Sequence, residues 1–398
     1  MNLARRGALI FIVLNCVIWW LAAPAWAFEP SQHGIRLDGD AWLTLSADRG
    51  GISGGFEYDG LTLRVACDVP INHGLSTFAG LGTGAWGPGR TGGLILGGGV
   101  LPTPAIGYSI KADKSEYIRF ACLLGLEGGR RLLGHRLEYR PSDWLTLGVS
   151  ETAATSGDMS ALMYWPFPGL PLYALQRAAY QADRGQDSLI NVNFGADFAL
   201  KLGKEGSLFA PAEFYGELLI DDAQSLFGSS RGKVPDMVGI LVGAEFPSLS
   251  LDGKPGKLGM GVEYVAITNF VYSHRNPNNT YVLHGVPIGH WLGPDGDLLQ
   301  ISAEYRVSDV LSLLARVAVE RHGEGRLGKS WFDDRSAPTQ FPSGIVEREV
   351  RVSAGAEFTT GPAVIGAELG LKAASNAGNV EGVGSGGGWI GLELGIRL

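Results

Sequence analysis

The chain has 398 residues, 60 of them glycine, with 18% charged residues and a formal net charge of −8. Charge this far below the ~25% of soluble domains favours a sheet with an apolar outer surface. The glycines do not recur every third residue, which excludes collagen, and the mild acidity gives no reason to expect a nucleic-acid partner.

The first 27 residues read as a targeting segment. Arg5 and Arg6 precede an apolar run, Ala8 to Leu21, and Ala25-Trp26-Ala27 is a small-residue cleavage site, the pattern of a secretory leader. Residues 28–398 are then expected to form one domain. Cys67 and Cys122 each alternate with apolar neighbours and lack CxxC spacing, so they read as small hydrophobes, as two free thiols in preference to one disulfide.

Beyond the leader, no run reaches the ~20 apolar residues of a membrane-crossing helix, whereas short runs of period-two alternation recur throughout. Gly34 to Ala47 and Ile52 to Cys67 read as the first strands, followed by a strand-poor stretch over 68–91. Gly92 to Gly98, Ala105 to Lys111 and Glu116 to Glu127 come next. The clearest hairpin is Leu132 to Ser150. Leu137 and Tyr139 oppose Arg136, Glu138 and Arg140 across the first strand, and Pro141-Ser142-Asp143 turns the chain.

A long irregular stretch over 151–186 holds Trp165, Phe167, Tyr173 and Tyr180. Ser188 to Lys201, Pro211 to Asp221, Met237 to Phe246, Lys257 to Thr268 and Tyr281 to Gly285 resume the alternation. Asp297 to Arg306 and Val310 to Arg321 form a hairpin, a loop spans 322–344, and Val346 to Phe358, Ala363 to Lys372 and Gly388 to Leu398 end the chain. About seventeen strands result. Single-chain bacterial barrels take even numbers, so sixteen or eighteen is expected.

In nearly every strand one parity is apolar and the other mixes Gly and Ser with charge. The fold class is therefore an all-β transmembrane antiparallel barrel of the bacterial outer membrane, with its apolar parity toward outer-membrane lipids. Arg136, Glu138, Arg140, Glu304, Arg306, Arg316 and Glu320 are expected in the lumen, opposed across it as a ladder of charges. Such a lumen also fits a diffusion porin, with the 151–186 loop as its constriction.

Several blocks then resemble the outer-membrane capsule-assembly barrels of the Wzi family. They are Trp86-Gly87-Pro88-Gly89-Arg90 with Leu94-Ile95-Leu96 and Pro102 to Tyr108; His135 to Pro141 with Leu147 to Glu151; Asp221-Asp222; Gly285 to His290 with Leu292 to Asp297; and Glu320 to Gly325. Their order runs from about residue 86 to 326. The resemblance implies eighteen strands and a lectin that holds capsular or other surface polysaccharide.

On that reading Trp165, Phe167, Tyr173, Tyr180 and Trp291 supply flat faces for sugar rings, and Asp295 and Asp297 supply polar partners. Insertion by the barrel-assembly machinery and a monomeric state are expected. No HExxH, GxSxG elbow or phosphate loop occurs, so neither enzyme chemistry, cofactor nor metal is expected. Asp295-Gly296-Asp297 with Asp221-Asp222 could gather a hard cation, although acidic turns are more often only solvated.

Overall fold

The computed structural model describes residues 33–38, 40–48, 51–58, 62–67, 74–81, 85–97, 104–122, 130–155, 171–172, 190–203, 211–222, 235–250, 256–283, 285–331, 340–361 and 363–397. The leader and the side chains of Cys67 and Cys122 lie outside what is described.

Among the described residues there are twenty strands, eighteen of them in one sheet. They are β1 (His33–Asp38), β2 (Asp40–Asp48), β3 (Gly51–Tyr58), β4 (Thr62–Cys67), β5 (Gly74–Leu81), β6 (Pro104–Ala112), β7 (Ser115–Cys122), β8 (Arg131–Ser142), β9 (Leu145–Thr155) and β10 (Ile190–Leu202). There follow β11 (Ala212–Asp222), β12 (Met237–Ser250), β13 (Lys257–Ile267), the short pair β14 (Val282–Leu283) and β15 (Val286–Pro287), β16 (Gly296–Arg306), β17 (Leu311–His322), β18 (Glu347–Thr360), β19 (Ala363–Ser375) and β20 (Gly384–Arg397). From β4 onward, sequence neighbours in the sheet pair antiparallel. The last strand then pairs with β2, and β2 with β3.

Eighteen strands resolve the choice between sixteen and eighteen. The N-terminal strands expected as two are four, β1 to β4, and the stretch over 68–91 expected as a loop contains β5. Here small residues blur the alternation, and pairing with β4 and β6 decides the conformation in place of local pattern. Gly92 to Gly98, expected as a strand, makes only an isolated bridge, Trp86 to Leu96.

The apolar parity faces outward as expected. Leu137, Tyr139, Leu147, Val149, Ile240, Val242, Ile301, Val317, Val352 and Leu392 are all exposed, and Leu371 reaches 70% exposure. Only lipid makes such a surface stable, because contiguous apolar area of this extent is absent from soluble monomers. Short turns at 113–114, 143–144, 307–310 and 361–362 mark one end of the sheet, and the long connections over 268–295, 323–346 and 376–383 mark the other. By the rule for this class the long connections are external.

The external half of the lumen is packed. Leu219, Leu241, Val265, Ile267 and Leu298 point inward and are buried against Leu94, Ile95 and Leu96 of the infolded segment 85–97. Inward positions were expected to be polar. On β11 to β16 they turn apolar near the external end because protein, not water, covers them.

Candidate functional site

The packed core is positioned by two carboxylates on the inner wall. A segment as irregular as 85–97 cannot satisfy its own backbone, and a buried N–H without an acceptor is costly. Glu217 on β11 accepts the Gly89 and Leu94 N–H groups, each at 2.7 Å. Glu263 on β13 accepts the N–H groups of Arg90 at 2.7 Å and Thr91 at 2.9 Å, and the Thr91 hydroxyl. The Arg90 side chain reaches Glu245 at 2.9 Å and Glu213 at 3.3 Å, over the Tyr215 ring. Burial pulls the Arg90 guanidinium down, but the hydrogen bond and charge of Glu245, with Glu213, outweigh it and hold it above its ordinary value.

The connection from β13 to β16 locks onto that segment. Tyr272 and Tyr281 stack with ring centroids 5.8 Å apart. Tyr272 donates its hydroxyl to the Leu94 carbonyl at 2.6 Å and accepts the His290 N–H at 3.0 Å; Tyr281 donates to the Ile95 carbonyl at 2.8 Å. Burial pushes the Tyr272 phenol well above its ordinary range. Gly289 is required by close approach, since a Cβ there would fall 2.3 Å from the Leu94 carbonyl oxygen.

His290 is fully buried, and its Nδ1 accepts the Leu292 N–H at 3.2 Å while its Nε2 lies 2.9 Å from the Thr91 hydroxyl. These partners assign the neutral tautomer with the proton on Nε2. Burial lowers its pKa to about 4, against a small opposing pull from Glu320.

Above the core lies a groove of about 300 Å³ at the external mouth. Trp291, Pro294, His322, Arg326, Glu347 and Asn379 line it. Trp291 is 43% exposed, yet fixed: its indole N–H donates to the Thr91 carbonyl at 2.7 Å, and the Arg351 guanidinium lies 5.4 Å from its ring centre. His322 in turn meets Glu320 at 2.7 Å, and Glu320 pairs with Arg351. Asn379 holds the rim by donating to the His322 carbonyl at 2.9 Å. A flat aromatic face with cationic, anionic and amide groups around it can stack on a sugar ring and satisfy its hydroxyls.

The residues expected at the site fare differently. Trp165, Phe167, Tyr173 and Tyr180 lie outside the described residues. Trp291 stands on the groove. Asp295 does not offer its carboxylate to a ligand, because it accepts the Gly325 N–H at 2.7 Å and the Ser343 N–H at 2.9 Å and is buried. Asp297 shares the outward parity of Leu299 and is engaged by Arg321 and Tyr264. Both carboxylates tie loops and strands together, which adjacency in sequence could not distinguish from a binding pair.

Lumen charges are present, but the expected ladder across the lumen is not what the described residues form. The ion pairs run along the wall. Arg136 on β8 meets Asp197 on β10 at 2.8 Å and Glu138 at 3.3 Å, and Glu138 also holds Arg140. Arg306 meets Glu304 at 3.4 Å, and Arg316 on β17 meets Glu368 on β19 at 3.4 Å. Residues two apart on one strand, or on strands two places apart, bring these groups together, whereas the lumen separates opposite walls. Among the described residues, no three of His, Cys, Asp or Glu are placed to share a metal.

Sequence reasoning missed Glu217, Glu263, Thr91 and Tyr272 as the anchors of the core. The signal was available: a glycine-rich segment needs acceptors, and these two carboxylates sit at inward positions of β11 and β13. Trp389 was also passed over. Its ring lies over Gly370 on the inner face of β19 and β20, where an added Cβ would fall 2.1 Å from it.

Comparison with known proteins gives the family and the fold. A family profile described as "Capsule assembly protein Wzi" matches residues 72–364. A search of curated proteins returned no match. Among solved structures the chain is similar to Wzi of Escherichia coli, an outer membrane protein involved in group 1 capsule assembly and a carbohydrate-binding β-barrel. The TM-score is 0.58 at 19% identity, over 91% of this chain and 85% of that one. OprB of Pseudomonas putida aligns with a TM-score of 0.49 at 10% identity, over 92% and 94% of the two chains. OprD of Pseudomonas aeruginosa gives 0.46 at 12%, over 94% and 96%.

Proposed function

The chain belongs to the Wzi capsule-assembly family of outer-membrane β-barrels, a non-catalytic family, and from that premise we propose that it holds capsular or related surface polysaccharide in the groove beside Trp291. The observation that carries this reading is the fixed, exposed face of Trp291 at the external mouth, braced by Thr91 and Arg351. A rigid aromatic loses little entropy on binding, and the polar rim supplies partners for hydroxyls. Trp389 offers a second aromatic deeper on the same side. Retention of purified barrel on polysaccharide from its own cell surface tests the reading, and W291A should lose most of it.

A pore is the competing reading. It is favoured by the wet inner wall of β16 to β19, where the Arg306 and Arg316 side chains are 59% and 47% exposed. Planar-bilayer recording separates the two, since an anchor gives no steady single-channel conductance. Export by a leader over 1–27, insertion by the barrel-assembly machinery and a monomeric state complete the proposal. Pairing of β20 with β2 supports the last of these, because it leaves the C-terminal strand no free edge for a second copy.

A further inference from the structure

On the outer surface, strand register lines up one polar row above an apolar band. Across β16, β17, β18 and β19 the outward partners in that row are Asp297, Arg321, Arg348 and Ser375. One step toward mid-membrane the same strands present Leu299, Val319, Val350 and Ala373. Two steps away they present Ile301, Val317, Val352 and Leu371. These side chains are exposed, as lipid-facing groups are. The polar row therefore lies at the external end where hydrocarbon gives way to headgroups. Tyr264, on the outward parity of β13, reaches up from the band to donate to Asp297 at 3.0 Å.

Arg321 and Arg348 are direct cross-strand partners. Like charges so placed repel unless an anion lies between them. Asp297 engages Arg321, with Nε to Oδ1 at 2.8 Å. Arg348 is exposed and has no ion-pair partner among the described residues. Its chain neighbours Glu347 and Glu349 belong to the opposite, lumen-facing parity. The row thus carries two guanidinium groups against one carboxylate, at the depth of lipid headgroups. Guanidinium forks match the oxygens of a phosphate, and charge near the interface costs a barrel little.

We propose that Arg321 and Arg348 bind the phosphate of an outer-leaflet lipid, with the Ser375 hydroxyl next in the row. This surface lies on the opposite side of the wall from the Trp291 groove and does not depend on the polysaccharide reading.

The test uses the full barrel in detergent, with binding of bisphosphorylated lipid A, its dephosphorylated counterpart and inorganic phosphate followed by native mass spectrometry. Wild type should hold the phosphorylated lipid in preference to the dephosphorylated one. R348Q should weaken that binding about tenfold or more. K372Q removes a cation of lumen-facing parity and should leave it unchanged. The Arg348 side chain has no ion-pair partner among the described residues to lose, so R348Q should keep its heat-modifiable gel mobility. Equal binding of the two lipids, or equal weakening by R348Q and K372Q, overturns the proposal. So does displacement of the lipid by an equal concentration of inorganic phosphate, which would point to a free-phosphate site.

Discussion

The inner wall built by β8 to β13 and the one built by β17 to β19 belong to the same sheet and share the same outward apolar parity, yet they face different surroundings. Arg136 on the first wall is 6% exposed at its side chain, whereas Arg316 on the second is 47% exposed. The first wall is covered by the 85–97 segment and the β13–β16 connection, so its charges serve as acceptors for backbone groups or close tightly on one another. Away from the external mouth water bathes the second wall, where the Arg316–Glu368 pair is long and weak. One barrel therefore holds a rigid support on one side and an open polar face on the other, with Trp291 at the boundary. The core is therefore not merely a stopper: it presents an aromatic ring toward the open wall.

Breaking the covered side should have the largest effect. Glu217→Ala leaves the Gly89 and Leu94 N–H groups without their acceptor, at about 1–3 kcal/mol each. The 85–97 segment should lose its hydrogen-exchange protection, and bilayer conductance should appear. Full protection in that variant would show that the hydrophobic contacts alone hold the segment.

A second, smaller effect follows from His290. Its folded pKa, about 4, lies below its ordinary value of 6.5, so the unfolded chain binds a proton that the folded core refuses. The stability this group contributes is full above pH 6.5 and falls as pH drops from 6.5 toward 4, by on the order of 3 kcal/mol. Exchange protection at Tyr272 and Tyr281 should weaken over that window, and H290N should flatten the dependence. A profile unchanged by H290N would remove His290 from the account.

On the open side the effect on stability should be slight. Arg316→Gln breaks one solvated pair and should change stability by under about 1 kcal/mol, as read by urea titration in detergent. A loss as large as that of Glu217→Ala would mean that the two walls do not differ.

Much of this contrast was legible in the residues. The hairpin around Pro141, the β16–β17 hairpin and the final strands stand out because their alternation is undiluted, and lipid on one side enforces it. By contrast, β1 to β5 blur, because Gly, Ser and Ala carry little polarity signal at period two. The site was less legible. Trp291 stood out as an aromatic in a loop beside Asp295 and Asp297, and the structure places it on the groove. Asp295 and Asp297, expected as polar partners of sugar, engage loop N–H groups and Arg321 in the structure, and sequence cannot say which of these a carboxylate meets. Inward apolar residues such as Leu219 and Leu241 also escaped, since what covers them arrives from about 120 residues or more away in the chain.

The proposed polysaccharide contact depends on Trp291, held between the packed core and the open wall. Its most direct test is retention of the detergent-purified barrel on polysaccharide from its own cell surface, with W291A and W291F compared to wild type. The account predicts roughly tenfold weaker retention for W291A and an intermediate loss for W291F, which keeps the face but not the bond to Thr91. Equal retention by W291A and wild type, or no retention by wild type together with a steady open channel, would contradict it.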